Sequence, residues 1–305
     1  MNPAVPAKSL QEYVARKNRE GRLRTSNPAQ RYLDGVTSLP PAPMLVTELL
    51  ILFRDPNQDI DHVVELISYE PSLTAQILRT CNSAAFAGAE PPADIFEAVS
   101  RVGFYQVYCL VVSLFGAKTT SMDGAAEGVN VDELWRHSVG VAVAAGVIAE
   151  EAGQTRAAAF TAGLLHDIGK LVLASAERLS YAEIIQRAKN EGVLLTDLER
   201  TVLDVDHAEL GGELMRRWKL PEEIVGAVRY HHDLKAARPF EHLTAAVQVG
   251  DMIAHQLFAE DLAHTDLLAP SSAGLDVLRL SPDHLPGLLA KAQAEMEKVK
   301  GMLEL

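Results

Sequence analysis

Cysteine is nearly missing from this sequence: Cys81 and Cys109 are the only two in 305 residues. Two thiols so far apart cannot form a disulfide framework, so the chain reads as one made for a reducing cytoplasm. Long apolar runs are missing too. The longest, residues 107–117 and 139–149, are about eleven residues each and fall well short of a membrane span. The N-terminus has no apolar stretch after a basic start, which argues against export. Positive charge is scarce: 28 Lys and Arg stand against 41 Asp and Glu, a formal net charge of −13. That balance argues against nucleic acid as a general partner, because phosphate binding needs a basic footprint. Aromatic residues make up 6%, and Trp135 and Trp218 read as packing residues with no stripe on which bases would stack. Runs of β-branched residues with period-two alternation are also scarce, which excludes a sheet-based core.

The 48% apolar content is enough for a globular protein, and the length suffices for two domains with their own cores. Ala and Leu dominate the long segments, so most of the chain is expected to be helical. A basic leader spans residues 1–29 and brings Lys8, Arg16, Lys17, Arg19, Arg22 and Arg24 against Glu12 and Glu20. It reads as a solvated segment or a strap on the acidic body, with a docking or nucleic-acid arm as the alternative. A helical subdomain follows over 30–120, with helices at 44–53, 59–69, 72–81, 95–102 and 105–115. The Gly-, Ser- and Asp-rich stretch 119–130 is the candidate linker.

A second helical block is expected over 131–262 and an extension with a terminal helix, 286–303, over 263–305. Helices are expected at 131–152, closing on Gly153, at 157–175, and at 181–190 before Gly192. Thr196 and Glu199 match the spacing of a capping box, which places a helix start there and His207 two to three turns along it. Pro221 opens a helix ending at His231-His232, and 241–257 is a further helix. The small residues Gly140, Ala142, Ala144, Ala145 and Gly146 read as a face for close helix packing.

Across this second block run His137, His166-Asp167, His207, His231-His232 and Asp251. Imidazoles and carboxylates without thiolate suit borderline divalent metals, and only folding could bring these seven together. His166 and Asp167 are adjacent, so on a continuous helix their side chains diverge by about 100°. They can serve one ion only where a helix end points at it, or where Asp167 reaches across to a second ion. Taken alone, the pair is equally an ordinary surface pair. Lys170 shares the face of Asp167 and would pair with it or receive a phosphate. His255 stands at i,i+4 from Asp251 and reads, with His62, His242, His264 and His284, as a surface or packing residue.

The run Ala162-Gly163-Leu164-Leu165-His166-Asp167-Ile168-Gly169-Lys170 resembles the central motif of the HD superfamily of metal-dependent phosphohydrolases. His137 and Asp251 stand where that pattern has an upstream histidine and a downstream aspartate. Leu39-Pro40, Glu70-Pro71-Ser72-Leu73 and Arg79-Thr80-Cys81-Asn82-Ser83-Ala84 resemble the N-terminal half of the HDOD subfamily. The resemblance implies an all-α fold: a multi-helical HD-superfamily bundle preceded by a helical HDOD subdomain. It implies a regulatory module in bacterial signalling, with other signalling proteins as partners.

His207 and His231-His232 are similar to the second-metal ligands of the HD-GYP relatives, and Glu133 takes the place of an extra carboxylate ligand. His232 is followed by Asp233-Leu234-Lys235, with no Gly-Tyr-Pro downstream, which departs from the relatives that cleave cyclic diguanylate. One ion would take His137, His166, Asp167 and Asp251. The other would take His207, His231 and His232, with Asp167 bridging. Iron or manganese is favoured by the resemblance, and zinc or nickel also suit the ligand set. The alternative function is a metal-dependent phosphohydrolase on a nucleotide or another phosphorylated small molecule. In it, Asp167 and Lys170 are catalytic, and Lys170 neutralises developing phosphate charge.

Overall fold

The computed structural model describes residues 27–35, 94–120, 129–258 and 272–303, with single positions between 49 and 92. Most of the basic leader, the Pro-rich stretch at 39–43 and the centre of the expected linker lie outside the described residues. So do most residues of the three expected helices at 44–53, 59–69 and 72–81. Their described positions are helical, and Leu49, Val63, Ile67, Ile77 and Cys81 among them are buried.

Every regular element among the described residues is a helix. These are α1 (Pro28–Gly35), α2 (Ile95–Val102), α3 (Phe104–Thr120), α4 (Val131–Glu151) and α5 (Arg156–Leu165). They continue as α6 (Ile168–Ala176), α7 (Arg178–Glu191), α8 (Leu195–Leu203), α9 (His207–Arg217) and α10 (Glu222–Arg229). The chain closes with α11 (Glu241–Leu257), α12 (Ser272–Leu278) and α13 (Leu285–Leu303).

Helix α4 is the axis of the bundle, buried almost continuously from Leu134 to Ala149. Asn130 caps its start by accepting the Glu133 N–H at 3.2 Å, and Asp132 and Glu133 complement the dipole of the first turn. Small residues then let two helices approach closely. A Cβ on Gly163 of α5 would lie 2.9 Å from Ala142 Cα, and one on Gly250 of α11 would lie 2.8 Å from Ala145 N. The expected small-residue face is therefore the seam on which α5 and α11 pack. At the other side, α12 packs on α11, and α13 packs on α4 through Lys291–Glu151 at 2.5 Å and reaches the start of α5 through Arg156–Glu295 at 2.8 Å. Helix α3 lies on α5, where Tyr108 and Thr161 hydrogen-bond. Helix α1 docks on α6 and α9, with Arg217 donating to Leu33 O and Asp34.

Three local expectations are corrected. The helix expected over 157–175 is two helices, α5 and α6, and His166-Asp167 forms the turn between them. An unbroken helix would have splayed the two side chains. The capping box is not formed: α8 starts at Leu195, its cap position Leu194 makes no side-chain bond, and Thr196 and Glu199 are buried. His207 consequently does not lie within that helix. Asp204 turns the chain in the left-handed region (φ 64°). Asp206 then caps α9 by accepting the Glu209 N–H at 2.7 Å, so His207 is the first residue of α9. His231-His232 follow the end of α10 rather than ending it. By length and composition the span Arg156–Ala176 is apolar enough to cross a membrane, yet 89% of its most apolar stretch is buried inside the protein. It is core here, and it carries the buried His166 and Asp167.

Candidate metal centre

Five structural positions converge on one cleft. His137 comes from the second turn of α4, His166 and Asp167 from the α5–α6 turn, and His207 from the start of α9. His231 and His232 come from the turn after α10, and Asp251 from the middle of α11. The seven side chains fall into two expected groups whose ligand atoms lie within 4.8 Å of one another: His137, His166 and Asp167; and Asp167, His207, His231 and His232. Asp251 joins His137, with Oδ1 3.0 Å from its Nε2. Glu133 belongs to none of the groups. It stays in the capping turn of α4.

Asp167 is the shared element. Its Oδ1 lies 3.3 Å from His207 Nε2 and 3.8 Å from His231 Nε2, while Oδ2 lies 3.3 Å from His166 Nε2 and 2.8 Å from Lys170 Nζ. The ring orientations are set from behind. His166 Nδ1 lies 2.7 Å from Gly163 O and His231 Nδ1 lies 2.7 Å from Val228 O. A carbonyl only accepts, so both Nδ1 atoms carry the proton, and in the neutral rings the Nε2 lone pairs face inward. His207 Nδ1 is held the same way by Glu199 Oε2 at 2.7 Å. This is the outer support that metal-binding histidines use.

Two further residues belong to the site. Glu199 is fully buried and also accepts the His207 backbone N–H at 3.0 Å and the Tyr181 hydroxyl at 2.6 Å. His255, one turn beyond Asp251, lines the cleft with His137, His166, Asp167, Lys170, His232 and Asp251. Its i,i+4 spacing to Asp251 was the only signal for it. Glu199 was hidden by its match to a capping pattern.

The electrostatics separate the groups. Burial alone would raise the Asp167 carboxyl, but His166 and Lys170 hold it well below the usual carboxylate range. Asp251 is lowered likewise: burial would raise it, but His137, His166 and His255 together outweigh that. Burial would also depress His207, yet Glu199 raises it to about 10; Asp167 raises His166 in the same manner. Burial, then repulsion from His166 and His207, pulls His231 down to about 3. Burial and His231 pull His232 well down as well. His255 is lowered, chiefly by burial. The cage thus keeps its carboxylates charged, attracts positive charge at His166 and His207, and keeps the His231, His232 and His255 rings neutral.

The residues fit divalent cations. Asp167 Oδ1, Asp251 Oδ1 and His231 Nε2 are buried without a hydrogen-bond partner, although imidazole nitrogens stand at ion-pair distance from both oxygens. An unmet buried polar atom costs about 1–3 kcal/mol, more when charged. A lone pair aimed at a carboxylate oxygen is repulsive unless a cation sits between them. Ligands about 2.1 Å from one ion lie roughly 3.0–3.4 Å apart at ordinary coordination angles, close to most of the separations seen here.

The sequence profile of the HDOD domain matches residues 39–234, the greater part of the chain. The chain belongs to the HDOD family. Asp251 and His255 lie beyond the matched segment of this HDOD protein, on α11. An HDOD domain protein of unknown function from Geobacter sulfurreducens superposes with a TM-score of 0.65 at 26% identity, covering 87% of each chain. A Shewanella amazonensis protein assigned as a phosphohydrolase has a TM-score of 0.67 at 25% identity, covering 91% of this chain and 96% of its own. A Marinobacter aquaeolei protein assigned to signal transduction has a TM-score of 0.74 at 22% identity, covering 98% of this chain and 65% of its own, and shares the fold. In sequence, an uncharacterized protein of Treponema pallidum is 27% identical over 80% of this chain. Ribonuclease Y of Acholeplasma laidlawii is 32% identical over 45% of it. The chain spans 48% and 20% of the lengths of these two relatives.

Proposed function

We propose that this HDOD protein is a regulatory module of bacterial signal transduction, acting in the cytoplasm on other signalling proteins, with a binuclear divalent metal centre. Asp167 carries the reading: one oxygen faces His207 and His231, the other faces His166. His137, His166, Asp167 and Asp251 would hold one ion; Asp167, His207, His231 and His232 the other. Iron or manganese suits the set best, with zinc or nickel also accommodated. A pair of such ions, when bound, acidifies a water and polarises a phosphoryl oxygen. The regulatory part is supported by the HDOD match and by the cleft, whose free space of about 10 Å³ admits little more than a water-sized group. Sites that enclose a drug-sized ligand run to roughly 300–1,000 Å³.

Lys170 favours a second reading, a metal-dependent phosphohydrolase on a nucleotide or other phosphate ester. Its ammonium lies beside Asp167 and lines the cleft, where it would neutralise a phosphoryl group. The names of the Shewanella and ribonuclease Y relatives point the same way.

Elemental analysis separates the readings together with a phosphodiesterase screen in Mn²⁺ or Fe²⁺, using cyclic dinucleotides, nucleoside phosphates and a short RNA. About two ions per chain with no turnover supports the regulatory reading. Turnover lost in Asp167→Ala and Lys170→Ala supports the enzyme. A fully stable protein that takes up no metal overturns both.

A further inference from the structure

We propose that His255 is a ligand of the first metal ion, in the place that the HD-GYP resemblance gives to Glu133. The inference rests on the metal centre proposed above and extends it by one residue. Helix α11 is drawn against α4 by Gly250 on Ala145, and by Ala254 and Phe258 on Gly140. That register turns two successive positions of one face, Asp251 and His255, toward His137. His255 Nε2 lies 3.4 Å from Asp251 Oδ1, the same oxygen that His137 Nε2 approaches at 3.0 Å. The His137 and His255 rings stand 4.8 Å apart, centroid to centroid. Neither contact to Asp251 Oδ1 has hydrogen-bond geometry. Two imidazole nitrogens and a carboxylate oxygen therefore converge within 4.8 Å of one another, around a point rather than upon each other. His255 is also more open than His137, which sets it at the mouth of the cleft.

The bland role for His255 is a hydrogen bond to Asp251, and the substitutions are chosen against it. Gln keeps a donor for that bond but is a poor metal ligand, whereas Glu is a good one. Mn²⁺ is titrated into metal-free wild type, His255→Gln, His255→Glu and His207→Ala, with unbound Mn²⁺ read by electron paramagnetic resonance. Thermal midpoints in chelator confirm that each variant is folded. In wild type two classes of site are expected. His255→Gln should weaken one class by about 10–100-fold or more, since even outer-shell changes cost that much. His255→Glu should recover part of the loss, and His207→Ala should weaken the other class. Titration of His255→Gln indistinguishable from wild type overturns the assignment while leaving the metal centre standing. A wild type that binds no Mn²⁺ overturns the centre, and His255 with it.

Discussion

A buried carboxylate needs partners for both oxygens, and Glu199 has three: the Tyr181 hydroxyl, and the ring and backbone N–H of His207. None of them is solvent, because Glu199, Tyr181 and His207 are all fully buried. The carboxylate fixes which nitrogen of His207 is protonated and makes the opposite nitrogen more electron-rich. Glu199→Gln keeps the shape and removes the charge. It is expected to weaken metal binding at the His207 site by about 10–100-fold, read by Mn²⁺ titration, with the His137 site unchanged. Tyr181→Phe removes only a neutral donor. It should cost about 1 kcal/mol in urea unfolding and move metal affinity less than Glu199→Gln does.

Helix packing brings the turns and helix ends that carry the two groups together, and Gly169 is where this is tightest. A Cβ there would stand 2.0 Å from His207 O and 2.7 Å from its carbonyl carbon. Both are backbone atoms at the start of α9, so nothing flexible can move aside. Gly169→Ala should push α6 off α9, costing roughly 1–3 kcal/mol or more as overpacking does, and should weaken Mn²⁺ binding because Asp167 and His207 separate. Gly287, in the first turn of α13 with open space around it, provides the contrast. Gly287→Ala should be neutral or stabilising by up to about 1 kcal/mol, with metal binding intact. The same packing explains what could be read in advance. The seven candidate ligands stood out because each is metal-competent in its own right and sits in the order of a known motif. The helix over 241–257 was legible from composition and spacing. The α5–α6 break was not, since the residues on both sides are good helix formers and neither His166 nor Asp167 is a strong breaker. Gly169 gave no reason for itself either, because its neighbour belongs to a distant helix.

At the scale of the molecule, α3 ties α2 to the bundle through a buried cluster of ionisable groups. Arg156 lies over the Tyr105 ring at 4.0 Å, and Tyr105 meets Phe160 edge-on. Burial pushes the Cys109 thiol up to about 12 and raises Tyr105 and Tyr108 well above the usual phenol range. All three fold as neutral groups. Their contribution is therefore complete below the unfolded values, about 8.5 for Cys and 10 for Tyr. It is lost as pH rises from there toward 12. Above about pH 8.5 urea midpoints should fall steeply, with Cys109 unreactive to thiol reagents until unfolding. A flat profile across that window would contradict this packing.

The proposed metal centre would act on the whole bundle in the opposite sense, as a staple. Its ligands come from α4, the α5–α6 turn, α9, the turn after α10 and α11, so unfolding any of these elements opens the site. An ion that binds only the folded chain stabilises it by about 2.7 kcal/mol at a hundred times its dissociation constant. For a chain of this size that is a rise of roughly 4 °C per site in the thermal midpoint. Metal-free protein in chelator should melt lower by that amount and recover on adding Mn²⁺. Asp167→Ala decides whether the effect is the centre's own. Asp167 serves both groups, so its removal should abolish most of the Mn²⁺-dependent rise. His207→Ala should abolish only the part that belongs to one site. An undiminished rise in Asp167→Ala would mean that Mn²⁺ acts elsewhere on this acidic chain.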